Sequence, residues 1–540
     1  MSTYKYFMSA ALLLVSMMMS AQQSRISGKV VDDEGQPLPG ASVLVKGTKT
    51  GANADADGNY SLTADASATL EFSFIGYETK TVQVNSRSII NVILPAEASF
   101  LNETVVIGYG VQKKVNLTGS VATTDFEQIA KSRPITTPAA ALSGMNAGVM
   151  VRQSSSTPGS EGVSIRVRGI GTLNDSAPLV IVDGFEGSLG NVNPDDIATI
   201  SVLKDAASCA IYGNRGANGV VLITTKNGGR QGKASSSITY SGQFAINTPA
   251  NKFRVVSDYA DYMEIMNESA ENIGNSPIFS QAMIDLWREK SKDPNGIADS
   301  GYPNYVAYPN TDWVDAMFNR NVYQKHNISA SGSSGNGTNY LISASYLDNP
   351  GIVDNMGYKR FQLRTNVSSW ITKWLEAGTR LWGYLGNRQL NDFSGASGFM
   401  SRAVPGIYPE YDGKFGWMEN PEQSSNSRNN LYFFNRIGGR EKTLYLNAAL
   451  FLNIKLPLDI KYHASFNYTH QTVDYMKWVN LGGAYSFSRG ENAYEYNNLA
   501  NQYTEQNNSN TGHWTFQTDF SYNHTFAKKH EVGAMVGFEA

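Results

Sequence analysis

Cysteine is almost missing from this chain, with one residue, Cys209, in 540. That excludes both a disulfide framework and a Cys-based metal site, and it leaves Cys209 as a small buried apolar residue. Charge is equally sparse in effect: a formal net charge of −3 shows no electrostatic footprint for nucleic acid. Histidine is scarce too, at six residues, and none stands with an acid, base or nucleophile in a recognisable catalytic arrangement. Beyond the N-terminus there is no apolar run of roughly 18 residues, so no membrane-spanning helix is expected. If this chain crosses a membrane it does so as a barrel, because only helices and closed barrels satisfy every backbone polar group in lipid.

What the chain has is β-rich sequence in three styles. The N-terminus carries Lys5, an apolar run from Tyr6 to Met19, and Ser20-Ala21 before Gln22. This reads as a secretory signal over residues 1–21. Residues 22–94 hold seven or so short β-rich runs separated by turn residues, the spacing of a small β-sandwich. Within them Asn53, Asp55, Asp57 and Gly58 imitate the start of a calcium loop, but the twelfth position is Ala64 instead of a bidentate carboxylate. A tight turn is the expectation there.

Residues 95–116 read as a linker around one β-branched run, Glu103, Thr104, Val105, Val106 and Ile107. It has no obvious home sheet, so its edge is free for an added strand, or it forms the edge of a neighbouring sheet.

Residues 117–233 predict a compact α/β unit. Three apolar runs, Leu179 to Val182, Ile197 to Leu203 and Gly219 to Thr225, form its strands. Asp183-Gly184 supplies a turn, Asn193-Pro194 an N-cap with a first-turn proline, and Asp205 a cap for a short helix closed at Gly213. Pro138 starts another helix that Gly144 ends. Arg152, Arg166 and Arg168 alternate on strands, and either pair this unit to a surrounding wall or make a solvated face. Gly169-Ile-Gly171 and Gly108-Tyr-Gly110 lack the rest of a dinucleotide fingerprint.

From 234 to 540 the sequence alternates over long segments. From Trp514 to Phe526, even positions read Trp, Phe, Thr, Phe, Tyr, His, Phe and odd positions Thr, Gln, Asp, Ser, Asn, Thr. Such segments span lipid as tilted barrel strands, or else line the inside of a large soluble sandwich. About nine strands are expected, near 236–246, 322–332, 338–347, 358–369, 374–385, 442–454, 458–473, 512–526 and 529–538. Their connections alternate long and short, as in outer-membrane barrels, so the first strand runs outward. The long connections carry helical patches and the aromatics Tyr302, Tyr305, Tyr308, Trp313, Tyr408, Tyr411 and Trp417. These stack on a ligand, build loop cores or form a docking face.

The stretch VNPDDIATISVLKDAASCAIYGNRGANGVVLITTK, with VIVDG before it, resembles the plug of SusC/RagA-type TonB-dependent outer-membrane transporters. YPNTDWVDAMF resembles the same family, and residues 22–94 resemble the carboxypeptidase-regulatory-like domain that many of its members carry. The fold so implied is mainly β and multi-domain: a small β-sandwich, an α/β plug and an incomplete transmembrane antiparallel β-barrel. Plugged barrels of this kind close with roughly 22 strands, so residues 1–540 are expected to be the N-terminal part of a transporter. The resemblance places the chain in the outer membrane, with plug and sandwich on the periplasmic side, and puts Glu103 to Ile107 at the TonB box. It implies partnership with TonB, energised with ExbB and ExbD, with a SusD-like surface lipoprotein and with outer-membrane lipid. The cargo it implies is a glycan first and a peptide second; a siderophore or vitamin receptor, or a passive surface adhesin, are the alternatives. It implies no catalytic residue, cofactor or metal.

Overall fold

A computed structural model describes residues 23–95, 104–107, 110–113, 121–126, 135–228, 234–250, 254–391, 403–417, 429–479, 483–495 and 502–540, less 33–34, 49, 75–76, 78, 136, 174, 336 and 528–529. The expected signal, most of the linker and Glu103 lie outside these residues. The chain divides into two compact units, Met1–Thr118 and Gly119–Ala540.

In the first unit, alternation drives a two-layer sandwich. Asn59–Asp65, Gln23–Val31 and Val92–Ile93 form one sheet; Gly51–Asn53, Ser42–Val45, Thr69–Ser73 and Lys80–Gln83 form the other. Tyr60, Leu62 and Ala64 point inward on alternate positions of one strand and meet Val43, Leu70 and Phe72 in a shared core. The Asp55 segment is a tight turn: Asp55 Oδ1 accepts the N–H groups of Asp57 (3.0 Å) and Asn59 (2.8 Å). Gly58 takes φ 80°, a conformation other residues adopt only at a cost. The same unit contains a two-stranded ribbon in which Thr104–Ile107 pairs antiparallel with Gly110–Lys113.

In the second unit, the three apolar runs become adjacent strands of a five-stranded sheet. Its order is Val121–Asp125, Ile197–Leu203, Val220–Thr225, Leu179–Val182 and Phe185–Glu186. Asp183 (φ 50°) and Gly184 (φ 98°) make the two-residue hairpin that links the last two, a turn in which both central residues need positive φ. Asp205 caps Ala206–Cys209 by accepting the Ser208 N–H at 2.8 Å. Gly213, at φ 56°, breaks the helical course just beyond. Cys209 is buried, with its thiol directed at the Leu203 carbonyl 3.6 Å away.

Around this α/β unit runs a sheet of nine antiparallel strands in sequence order: Ala234–Asn247, Asn321–Ser334, Thr338–Pro350, Gly357–Trp370, Leu375–Leu390, Ile437–Lys455, Ile460–Val479, Tyr503–Phe526 and His530–Glu539. These are the first to ninth wall strands. Their two faces settle which way the alternation points. Phe361, Leu363, Leu385, Leu450, Phe466 and Trp514 are exposed on the outer face, while Asn327, Ser343, Gln362, Arg364, Asn366, Gln517 and Asp519 are buried on the inner one. A soluble sandwich requires the opposite polarity. An apolar exterior over a polar interior is the pattern of a membrane barrel wall.

The connections alternate as the spacing predicts. Residues 248–320, 391–436 and 480–502 leave one end of the wall, while 335–337, 371–374 and 456–459 close the other. On the long side the loops build their own cores. Tyr259, Met263, Trp287 and Trp313 from the first loop pack with Val353, Val404, Ile407 and Phe434 from the others. A four-stranded sheet, Glu410–Tyr411, Lys414–Gly416, Gly483–Ser486 and Glu491–Glu495, ties two of the loops together.

Candidate functional site

Three places are candidates for a functional site: the seat of the α/β unit on the wall, the ring cluster on the long loops, and the ribbon at 104–113.

The seat is built from the turns that the sequence marks with Asp and Asn. Asp183, at the hairpin, accepts hydrogen bonds from Thr225 N–H (2.9 Å) and Thr225 Oγ1 (2.8 Å), which aims its carboxylate at the wall. Asn193 caps Pro194–Asp196, presenting Asp195 and Asp196 side by side. The wall answers with cations. Lys325 on the second strand meets Asp195 at 2.8 Å. Arg364 on the fourth strand lies 3.3 Å from Asp183 and 3.4 Å from Asp196, with its side chain wholly buried. Arg360 donates to the Gly190 carbonyl (3.0 Å), and Arg380 to that of Asp183 (3.4 Å). Ser343, Asn366 and Tyr384 add hydrogen bonds to Asp196, Lys226 and Asn191. Trp382, Tyr384 and Tyr445 of the wall join the apolar core of the α/β unit.

Of the two readings offered for Arg152, Arg166 and Arg168, pairing to the wall or a solvated face, the second fits the structure. Arg152 and Arg168 are exposed, and Arg166 donates to the carbonyl of Ile165. Around Asp183, Asp195 and Asp196 the α/β unit supplies the carboxylates and the wall the cations, while at the ninth strand the sense reverses and Arg215 of the unit meets Glu539 of the wall at 2.6 Å. Lys325, Arg360, Arg364 and Arg380 were missed because an isolated charged residue in an alternating strand reads as water-facing.

On the loops, the expected aromatics separate into two groups. Trp313 is a core residue, buried with its indole N–H donating to the Val404 carbonyl at 2.9 Å. Trp417 is half-buried, and its backbone N–H donates to the Tyr485 carbonyl. The others gather around Phe487, which with Tyr485 is the part the sequence reading missed. Tyr302 lies edge-on to Phe487 (5.1 Å) and to Tyr411 (6.0 Å). Tyr408 lies edge-on to Tyr305 (5.8 Å) and Phe487 (6.3 Å). Tyr308 packs edge-on against Trp287 at 5.1 Å. Lys414 Nζ donates to the Tyr302 hydroxyl at 3.0 Å and holds it below the usual tyrosine range. Beside these rings opens a cleft of about 460 Å³, lined in part by Tyr305, Tyr308 and Tyr408.

In the ribbon, Thr104 to Ile107 pair in register with Lys113 to Gly110, and the strand joins no other sheet among the described residues. One of its edges is thus taken by a local partner, Gly110–Lys113, which is neither the fully free strand nor the edge of the sandwich or plug sheet that the sequence reading weighed.

A plug seated by carboxylates against the polar inner face of an apolar-jacketed strand wall defines a plugged outer-membrane receptor. Comparison with known proteins gives the family. Residues 26–107 match the CarboxypepD_reg-like domain, and residues 113–220 the TonB-dependent Receptor Plug Domain. The TonB-dependent receptor SusC of Bacteroides thetaiotaomicron is 38% identical over 360 residues, covering 64% of this chain and 32% of SusC. A TonB-dependent receptor of Formosa agariphila is 30% identical over 527 residues, covering 96% of this chain and 46% of the relative. The RagAB peptide importer in its 'open-open' state superposes with a TM-score of 0.64 at 26% identity, covering 81% of this chain and 48% of that one. The chain carries the plug domain of the TonB-dependent receptors and is similar to their SusC/RagA type, whose members are outer-membrane proteins. It spans from a third to just under half of the length of these curated relatives.

Proposed function

We propose that this chain works in TonB-dependent active import of a large nutrient across the outer membrane, with an oligosaccharide as cargo and a SusD-like lipoprotein over the long loops. The observation that carries the reading is the seat: a plug held to the wall by ion pairs and hydrogen bonds beside a small aromatic contact is built to be released without unfolding the wall. Releasing it takes work, and Thr104 to Ile107, with Glu103 before them, are the strand through which TonB delivers that work. Pairing by strand addition supplies about 1 kcal/mol net per backbone hydrogen bond, a grip weak enough to reset after each pull. The open edge of the ribbon suits this, as does displacement of Gly110–Lys113 by the incoming strand. The reading assigns the chain no catalytic step, because the proton gradient drives the cycle through TonB, ExbB and ExbD. Tyrosine-rich loops support a sugar cargo, since flat rings receive the apolar face of a pyranose. Peptide is the second reading, supported by the RagAB peptide importer.

Deleting residues 103–107 from the full-length gene tests it. Cargo uptake should stop while binding at the cell surface persists. Uptake that continues at the parental rate overturns the reading.

A further inference from the structure

We infer that the long loops carry their own binding cleft for a short neutral oligosaccharide, set apart from the plug and its seat. This rests on the oligosaccharide reading above and adds a place and a set of residues. The cleft lies between the helices Gln281–Lys292, Asn304–Ala307 and Trp313–Met317 and the segment 408–410. Its volume, about 460 Å³, falls within the range of small-molecule sites, roughly 300–1,000 Å³.

Three tyrosines, Tyr305, Tyr308 and Tyr408, stand in its mainly polar lining, and their rings are packed against other aromatics. Tyr308 is held by Trp287, and Tyr408 by Tyr305 and Phe487, so little side-chain entropy remains to be lost when a ligand arrives. Its polar groups include donors and acceptors together. Lys290 Nζ stands 5.9 Å from the Tyr308 ring centre, and Glu410 is exposed at the rim. Asn304, 5% exposed, is fixed at the cleft by its Nδ2, which donates to the Asp293 carbonyl at 2.8 Å.

A pyranose matches this mixture, with an apolar C–H face for the rings and a rim of hydroxyls that both donate and accept. The competing occupant is a cationic peptide, because Asp312, Asp315 and Glu410 outnumber Lys290. Two facts favour the sugar. Asp312 Oδ1 is already engaged in capping Val314 and Asp315, at 2.9 and 3.1 Å, and Lys290 places positive charge inside the same cleft.

The test uses the full-length receptor in detergent, without TonB or lid protein, titrated with short neutral gluco-, xylo- and manno-oligosaccharides and with an oligolysine peptide. Binding is read by calorimetry and by saturation-transfer NMR. At least one oligosaccharide should bind, and Tyr305→Ala should weaken it about tenfold. Tyr305→Phe, which keeps the ring, should bind as the parent does; heat-modifiable migration on gels confirms that each variant is folded. Absence of binding by every oligosaccharide, or binding that Tyr305→Ala leaves unchanged, overturns the cleft. If cells still take up an oligosaccharide in either case, the transport reading stands without it. If only the peptide binds, and only peptides are taken up, both fall.

Discussion

Arg364 shows at the scale of one residue how the plug is held. Its guanidinium lies between Asp183 and Asp196 and 5.1 Å from the Trp382 ring centre, with no part of its side chain exposed. Replacing it with methionine leaves two buried carboxylates without a counter-charge, a change that typically costs about 3–5 kcal/mol. Cys209 gives a direct readout, since it is the one thiol in the chain and lies buried in the plug. Burial raises the pKa of this thiol, so labelling should be slow in the parent and should report opening of the plug. Arg364→Met should raise the labelling rate by about two to four powers of ten where reclosing outpaces labelling. Arg364→Lys should recover only part of the loss, because one ammonium cannot reach both carboxylates as the planar fork does. Equal labelling rates in parent and Arg364→Met would show that the pair does not hold the plug.

Single elements were the most legible part of the sequence, because their signals are local. The caps at Asn193 and Asp205, the Asp183-Gly184 hairpin and the nine wall strands are all where residue chemistry puts them. The ends of four strands were not. The fifth, sixth, seventh and eighth wall strands run to Leu390, Ile437, Val479 and Tyr503, beyond the limits that alternation suggests. There the sequence is polar, as in Glu505 to Asn510, and backbone pairing to a neighbouring strand continues where contact with lipid has ended. The seat and the ring cluster were illegible for a related reason. Arg364 and Asp183 are 181 residues apart, and Ser300 and Phe487 187 apart, so no local pattern announces either contact.

The Asp55 turn yields a pH test at this scale. The Asn59 N–H, followed by that of Asp57, holds the Asp55 carboxyl below its usual range. A carboxyl whose pKa is lower folded than unfolded contributes stability above the unfolded value, about 3.9, and loses it as pH falls through the folded value. Corrected for intrinsic rates, the Asp57 and Asn59 amides should lose protection as pH drops below about 4. In Asp55→Ala that protection should be absent at neutral pH as well. Protection independent of pH in the parent would mean that the carboxylate does not hold the turn.

For the whole molecule, the decisive property is which face of the wall meets lipid. Leu446 and Leu450 lie on the outer face of the sixth strand, 48% and 58% exposed, while Ser465 and Asn467 on the neighbouring strand are buried on the inner face. In water this arrangement leaves a broad apolar surface uncovered, and in lipid the same surface is what inserts. An arginine on the lipid face of a barrel costs about 2–4 kcal/mol near the membrane midplane and little near its borders. Leu446→Arg and Leu450→Arg in the full-length protein should therefore reduce the heat-modifiable, membrane-inserted fraction, and together more than singly. A water-soluble sandwich would respond in the opposite way, because a charge on an already exposed face costs it nothing and improves its solubility. Undiminished insertion of the double variant would mean that these positions do not face lipid, and the wall, its polar seat and the plug held there would need a different membrane orientation.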